Sequence, residues 1–225
     1  KGGYFQDTAS NAIGAAIPTR PEEVTNYEIG VKSDFAGGRA RLNAAAFYMD
    51  YTDLQIEQTN QDCLCNIAEN ASDADITGLE VEFTFAITEA LLINISGTVL
   101  NLEYVDFVQA SGADSSGNVL QRAPESMYGV YLDWNLGSDL NLFVNYAWQG
   151  ELFWEPMNIN VEDSYGLVDA RLSFAPESAS WAVSVWGKNL TDELYRVNVI
   201  PFFGEEISQF GPPRTYGVDF SYSFE

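Results

Sequence analysis

The order of the connections constrains this chain more than any single element does. Stretches of roughly ten residues recur in which apolar and polar side chains alternate with a period of two, the pattern of β-strands. In ITGLEVEFTF (76–85), Leu79, Val81, Phe83 and Phe85 oppose Gly78, Glu80, Glu82 and Thr84. SMYGVYLDWNL (126–136), LNLFVNYAW (140–148) and GLVDARLSF (166–174) repeat the pattern. Less regular alternation adds strands near 25–35, 40–57, 90–104 and 181–189. With the closing 214–224 the count is nine, plus a stump at 1–5. Short turns at 36–39, 86–90, 136–139 and 175–180 alternate strictly with long loops at 6–24, 58–75, 105–124, 150–163 and 190–213. An antiparallel chain so ordered carries every tight turn at one end of its sheet and every long loop at the other.

The closing GVDFSYSFE (217–225) asks which face of that sheet is wet. Val218, Phe220, Tyr222 and Phe224 point one way, and Gly217, Asp219, Ser221 and Ser223 the other. A soluble sheet buries its apolar face, whereas an outer-membrane barrel turns it to lipid and lines a polar interior with the other. Glu80, Glu82, Asp133, Asp169 and Arg171 sit mid-strand opposite the apolar set. A wide, water-filled or plugged lumen tolerates such charges, and a packed interior does not. Short turns at one end and long loops at the other match the periplasmic and extracellular ends of bacterial barrels. Greek-key crossovers of a soluble sandwich would break the alternation. Trp134, Tyr146, Trp148, Trp181 and Phe224 near strand ends suit interfacial girdles. No run of about 18 apolar residues is present, which excludes a helical span and leaves a barrel open. The expected fold is all-β, with antiparallel up-and-down strands forming a partial arc of about nine to ten strands of a transmembrane barrel. Val81, Phe83, Val144, Leu172 and Phe220 are expected to face outward.

Composition narrows the function. The formal charge is −23, with ten basic residues, so no nucleic acid is a partner, because a phosphate backbone needs Lys and Arg to replace its counterions. Histidine is absent, which removes the commonest general base and metal ligand together. Without it no Ser-His-Asp triad can form, and G-x-S-x-G is missing too, so the chain is not read as an enzyme. The loops are rich in carboxylates, yet no D-x-D-x-D-G spacing builds a calcium loop, and no metal or cofactor is expected. Cys63 and Cys65 stand as C-x-C in a polar loop. A disulfide pinning a tight turn is favoured on an oxidising outer surface. Free thiols remain open, and a thiolate metal site lacks further ligands nearby. Two aromatic loop clusters, ELFWEPM (151–157) and VIPFFGEE (199–206), place Phe153, Trp154, Phe202 and Phe203 at the long-loop end. Exposed rings on loops are costly unless they meet ligand, lipid or partner. These four are candidates for ligand binding, with loop-on-loop packing as the other reading.

Six stretches in order resemble one family. PEEVTNYEIGVKSDF (21–35) is similar to the E-x-x-x-Y-E-x-G-x-K-S strand of TonB-dependent outer-membrane receptors, and LNAAAFYMDYTDLQ (42–55) follows it. ITGLEVEF (76–83) resembles the family's I-x-G-x-E-x-E strand, and RAPE (122–125) opens a strand as its A-P motif does. VWGKNLTDELY (185–195) resembles its N-L-x-D-x-x-Y strand end, and GPPRTYGVDFSYSF (211–224) its closing strand. Glu225 after Phe224 departs from an aromatic terminus.

The resemblance implies a 22-stranded barrel, of which residues 1–225 would be the C-terminal part. The globular plug and earlier strands would lie outside it, in keeping with an N-terminus that carries no Met and no apolar leader. It implies a receptor in the Gram-negative cell outer membrane, with lipid around the barrel, long loops extracellular, and short turns and C-terminus periplasmic. Such a receptor imports a scarce small nutrient, first among them a ferric siderophore, energised by the TonB complex through the plug. Cobalamin, haem and oligosaccharides are other cargoes. A passive porin-like or adhesin barrel and a soluble β-sandwich binding module are the competing readings.

Overall fold

The computed structural model describes residues 19–60, 65–70, 73–109, 111–202 and 205–224. The chain forms β1 (Glu23–Phe35) and β2 (Ala40–Thr52), then a hairpin of β3 (Gln55–Asn60) and β4 (Cys65–Asn70). Next come β5 (Asp73–Ala86), β6 (Leu91–Asp106), β7 (Ser126–Asn135) and β8 (Leu140–Gln149). A two-residue pair, β9 (Leu152–Phe153) and β10 (Val161–Glu162), precedes β11 (Tyr165–Phe174) and β12 (Trp181–Lys188). The hairpin β13 (Arg196–Phe202) and β14 (Glu205–Phe210) and the closing β15 (Thr215–Tyr222) complete the order.

Nine of these make one antiparallel sheet in the order β1-β2-β5-β6-β7-β8-β11-β12-β15. Successive long strands are neighbours throughout, and the three small pairs are inserted in the long connections. This is the expected all-β, up-and-down partial barrel. The tight turns rely on left-handed backbone where needed. Between β1 and β2, Ala36, Gly37 and Gly38 have φ of 55°, 70° and 85°, and glycine takes such angles without a Cβ penalty. The expected strand 40–57 stops at Thr52, because Asp53 turns the chain with φ 56°. The expected stump at 1–5 lies outside the described residues.

Register puts the two faces beyond doubt. Glu80 pairs with Ala45 and Thr98, Glu82 with Asn43 and Ser96, and Gly129 with Ser96 and Ala147. Partners share a face, so these residues form one polar surface, and it is concave. A hydrogen-bonded ladder crosses it. Arg41 pairs with Asp34 at 2.8 Å, Asn43 Nδ2 donates to Glu82 at 3.1 Å, and Asn94 Nδ2 donates to Glu82 and to Thr84. Asn141 Nδ2 donates to Asp133, Ser184 bonds Ser173, and Arg171 meets Asp219 at 2.9 Å. The glycine of the ITGLEVEF strand has a steric reason here, since the Phe47 ring of β2 lies over Gly78 where a Cβ would stand.

The opposite face is apolar and bare. Leu79 is 50% exposed, Val185 53% and Phe220 67%. No second sheet packs on this face among the described residues, as a sandwich would require. Val81, Phe83, Val144, Leu172 and Phe220 all lie on it, as expected. Aromatic rings cluster at its two ends. Phe35, Phe85, Trp134, Phe174, Trp181 and Tyr222 stand at the short-turn end, and Tyr27, Tyr48, Tyr128, Tyr146, Trp148 and Tyr216 at the long-loop end. Tyr27 and Phe35 are separated by about 27 Å at roughly 3.4 Å per residue. At a tilt near 40° that is about 20 Å along a barrel axis, close to the height of a lipid-facing band.

The buried core is not between sheets. It lies at the long-loop end, where Ile56, Ala74, Tyr104 and Phe107 pack together with Tyr51, Leu54 and Leu120. Ala74, Leu102 and Tyr104 continue the concave face of β5 and β6. The loop after β6 therefore folds back over that face and roofs it.

Candidate functional site

The roof is built from loops that the sequence reads as separate. In the first, the rings of Tyr104 and Phe107 lie 5.0 Å apart, and Glu103 bridges to Val119 across the loop. Asp114 accepts from the Ser116 backbone N–H at 2.9 Å. Bonding by the Ser116 hydroxyl and then by that N–H holds its carboxyl below the usual carboxylate range.

The loop between β9 and β10 is organised by a single carboxylate. Glu155 accepts from the backbone N–H groups of Met157, Ile159 and Asn160 at 2.7, 2.6 and 3.0 Å. It satisfies donors that a loop of this kind would otherwise leave unpaired. Asn158, at φ 56°, docks this loop on the first. Its amide accepts from Val119 N–H at 2.7 Å and donates to Val119 C=O at 2.9 Å, copying a strand partner. Asn118 donates to Pro156 C=O at 2.8 Å, and the Arg122 N–H to Phe153 C=O at 2.6 Å.

The third piece is the β13–β14 hairpin. Leu152, Trp154 and Val199 form a buried cluster that joins β9 to β13. Arg196 binds Glu162 through its side chain and through its backbone N–H at 2.9 Å, and its guanidinium also reaches Glu206. Glu162 is 8% exposed in its side chain, and burial of a paired charge makes the pairing obligatory. At the foot of the hairpin, Asn189 explains the N-L-x-D stretch. Its backbone N–H donates to Asp169, its amide bonds Glu193 and Pro212, and Asp192 pairs with Arg214. This junction positions the loop. Below the roof, the rings of Tyr165 and Tyr195 stack at 4.6 Å, with the Tyr165 hydroxyl 3.3 Å from Gln149 Oε1. Tyr165, Gln149 and Met127 line the upper concave wall.

The structure brings the two aromatic loop clusters together through Trp154 and Val199. Trp154 is 7% exposed, and its ring is packed rather than offered to solvent. Its Nε1–H is buried without an acceptor among the described residues. Phe153 is half-buried opposite Val161. Phe202 ends β13 opposite Glu205, and Phe203 lies outside the described residues. Cys63 also lies outside them, and with it the expected Cys63–Cys65 disulfide; Cys65 begins β4. No group of His, Cys, Asp or Glu able to hold a metal ion occurs among the described residues. Arg122, packed over Trp154, and the stacked pair Tyr165 and Tyr195 are parts of the roof and upper wall that sequence reasoning missed. The available signal for Arg122 was that the long loop 105–124 contains no other cation.

The sequence matches the family described as TonB dependent receptor-like, beta-barrel, over residues 2–224. It is similar to the pesticin receptor of Yersinia pestis, at 27% identity over 216 residues, covering 91% of this chain and 29% of that protein. The fold is similar to the ferric yersiniabactin uptake receptor of Yersinia pestis. There the TM-score is 0.78 at 25% identity, over 93% of this chain and 31% of that one. The ferripyoverdine receptor of Pseudomonas aeruginosa matches in fold with a TM-score of 0.68 at 20% identity, over 98% of this chain and 29% of that one. The chain thus spans less than a third of the length of these relatives.

Proposed function

This chain belongs to the TonB-dependent receptor-like β-barrel family, and on that premise we propose that the protein containing it imports a ferric siderophore across a Gram-negative outer membrane. The observation that carries this reading is the pairing of a bare apolar sheet face with a polar concave face that long connections roof at one end. Lipid surrounds the first, and cargo and plug meet the second. In this reading the loops are extracellular, the short turns and C-terminus are periplasmic, and a plug couples the barrel to the TonB complex. Two relatives named for ferric yersiniabactin and ferripyoverdine support iron chelates as the cargo class. Phe153, Trp154, Phe202 and Phe203 form part of the ligand-binding rim, with Trp154 as its packed anchor. No residue acts as a catalyst.

The test is uptake of radioactive iron, supplied as a panel of ferric chelates, by iron-starved cells that depend on the intact protein. Uptake that disappears when TonB is deleted supports the receptor. Uptake that persists identifies a passive pore instead. Replacing Trp154 by Ala removes a buried ring, a change that costs about 3–5 kcal/mol in a packed site. Weakening of chelate binding to whole cells by roughly tenfold or more is expected. Unchanged affinity with normal surface expression would remove these rings from the rim.

A further inference from the structure

Cations are scarce at the roofed end, and most of its arginines are committed. Outside the strands, the described residues there contain Arg20, Arg122 and Arg214, while Arg196 stands at the start of β13 and Lys188 at the end of β12. Arg20 pairs with Asp53, Arg196 with Glu162 and Glu206, and Arg214 with Asp192. Bonding to Asp53 raises the Arg20 pKa further. Arg122 differs from all three. Its side chain has no carboxylate or other hydrogen-bond acceptor among the described residues, and the guanidinium lies over the Trp154 ring, 5.8 Å from the centroid. A ring face holds a guanidinium in place without occupying its N–H donors. Its backbone is fixed as well. Arg122 has φ 60°, its N–H is bonded to Phe153, and the neighbouring Gln121 N–H reaches the Tyr104 hydroxyl at 3.5 Å. Unfavourable backbone at a non-glycine residue persists where the surroundings over-determine it, and such positions cluster at functional sites.

We propose that Arg122 is the anion contact of the ligand site, taking one anionic oxygen group of the iron chelate, a carboxylate or phenolate. The proposal rests on the uptake reading and deepens it. Trp154 acts as the positioning residue, holding the guanidinium from one side and leaving its fork of donors free for a bidentate contact. Because the other three arginines are neutralised within the chain, the roofed end offers one free guanidinium fork, beside the single point charge of Lys188, and no arginine cluster. It favours a chelate with a single free anionic group over a polyanion, which the many loop carboxylates would repel.

Two probes separate the possibilities in the intact receptor: a neutral ferric tris-hydroxamate bearing one pendant carboxylate, and the same chelate with that group as a primary amide. The unaltered protein is expected to bind the carboxylate form at least about tenfold more tightly. Arg122→Gln is expected to erase that preference and leave affinity for the amide within about twofold, while Arg122→Lys retains part of it. A preference that survives Arg122→Gln overturns the proposal, and so does equal weakening of both probes, which would make Arg122 a structural residue. Tighter binding of a trianionic ferric tris-catecholate than of either probe also overturns it. Binding of both probes without preference sinks the proposal alone. If neither binds the unaltered receptor, the uptake reading fails, and the proposal with it.

Discussion

Replacing Leu172 by Arg is expected to destabilise the assembled barrel by about 1–2 kcal/mol, because it lies on a lipid-facing strand between the bilayer midplane, where a guanidinium costs about 2–4 kcal/mol, and the interface, where the cost falls to about 0–1. Leu172 stands between Leu142 of β8 and Val185 of β12 on the bare apolar face, one outward row in from Phe174 at the short-turn end. It is 42% exposed, and no second layer of the described residues packs over it. The neighbouring Ser173 points to the concave face, where its hydroxyl bonds Ser184. Ser173→Arg should therefore change stability by no more than about 1 kcal/mol, since the charge enters a polar, hydrated surface. Equilibrium refolding of the intact receptor into lipid vesicles measures both variants. Equal effects from the two would mean that the sheet does not meet lipid on one face only.

Glu162→Ala should produce the largest effect outside the sheet. The carboxylate holds the Arg196 backbone N–H and guanidinium together. Its removal leaves a largely enclosed cation with only the Val161 carbonyl and a more distant carboxylate, Glu206 at 3.5 Å. Breaking a buried pair from one side costs about 3–5 kcal/mol, which corresponds to a local opening equilibrium shifted by roughly a hundred- to several thousandfold. The loss should be local. Amide exchange should accelerate in Arg196–Phe202 and Glu205–Phe210, while Tyr165–Phe174 and Trp181–Lys188 keep their protection. Glu206→Ala, removing only the outer partner, should cost no more than about 1 kcal/mol. Uniform acceleration across the sheet would show that the pair supports the barrel rather than the hairpin.

The barrel strands were legible because a half-exposed strand must alternate, and its sequence records both faces. ITGLEVEFTF and GLVDARLSF place Glu80, Glu82, Asp169 and Arg171 on the polar side without any tertiary information. What lies within the loops was not legible. Gln55–Asn60 is QIEQTN, too polar to display a period, and it pairs with Cys65–Asn70 in register. Arg196–Phe202 loses its alternation after Asn198, running apolar from Val199 to Phe202 through Pro201, which masks a strand that packs Val199 on Trp154. The roof was hidden for a different reason. Its contacts join residues tens of positions apart, such as Asn158 with Val119 and Arg196 with Glu162. They depend on side chains, Asn, Glu and Arg, whose presence in a loop signals solubility just as well. Trp154 shows the same limit, since a ring between two glutamates reads as exposed until the hairpin that covers it is known.

Which face of this sheet meets lipid is the claim on which everything else depends. It is tested most directly on β8, with nitroxide labels placed one at a time at positions 142 to 146 of the intact receptor in vesicles, Cys63 and Cys65 being replaced by Ser. The account predicts that labels at Leu142, Val144 and Tyr146 collide with oxygen dissolved in lipid. Labels at Phe143 and Asn145 should instead follow the concave, polar side and be protected from it. Oxygen accessibility without this period of two, or with its phase reversed, would contradict the barrel.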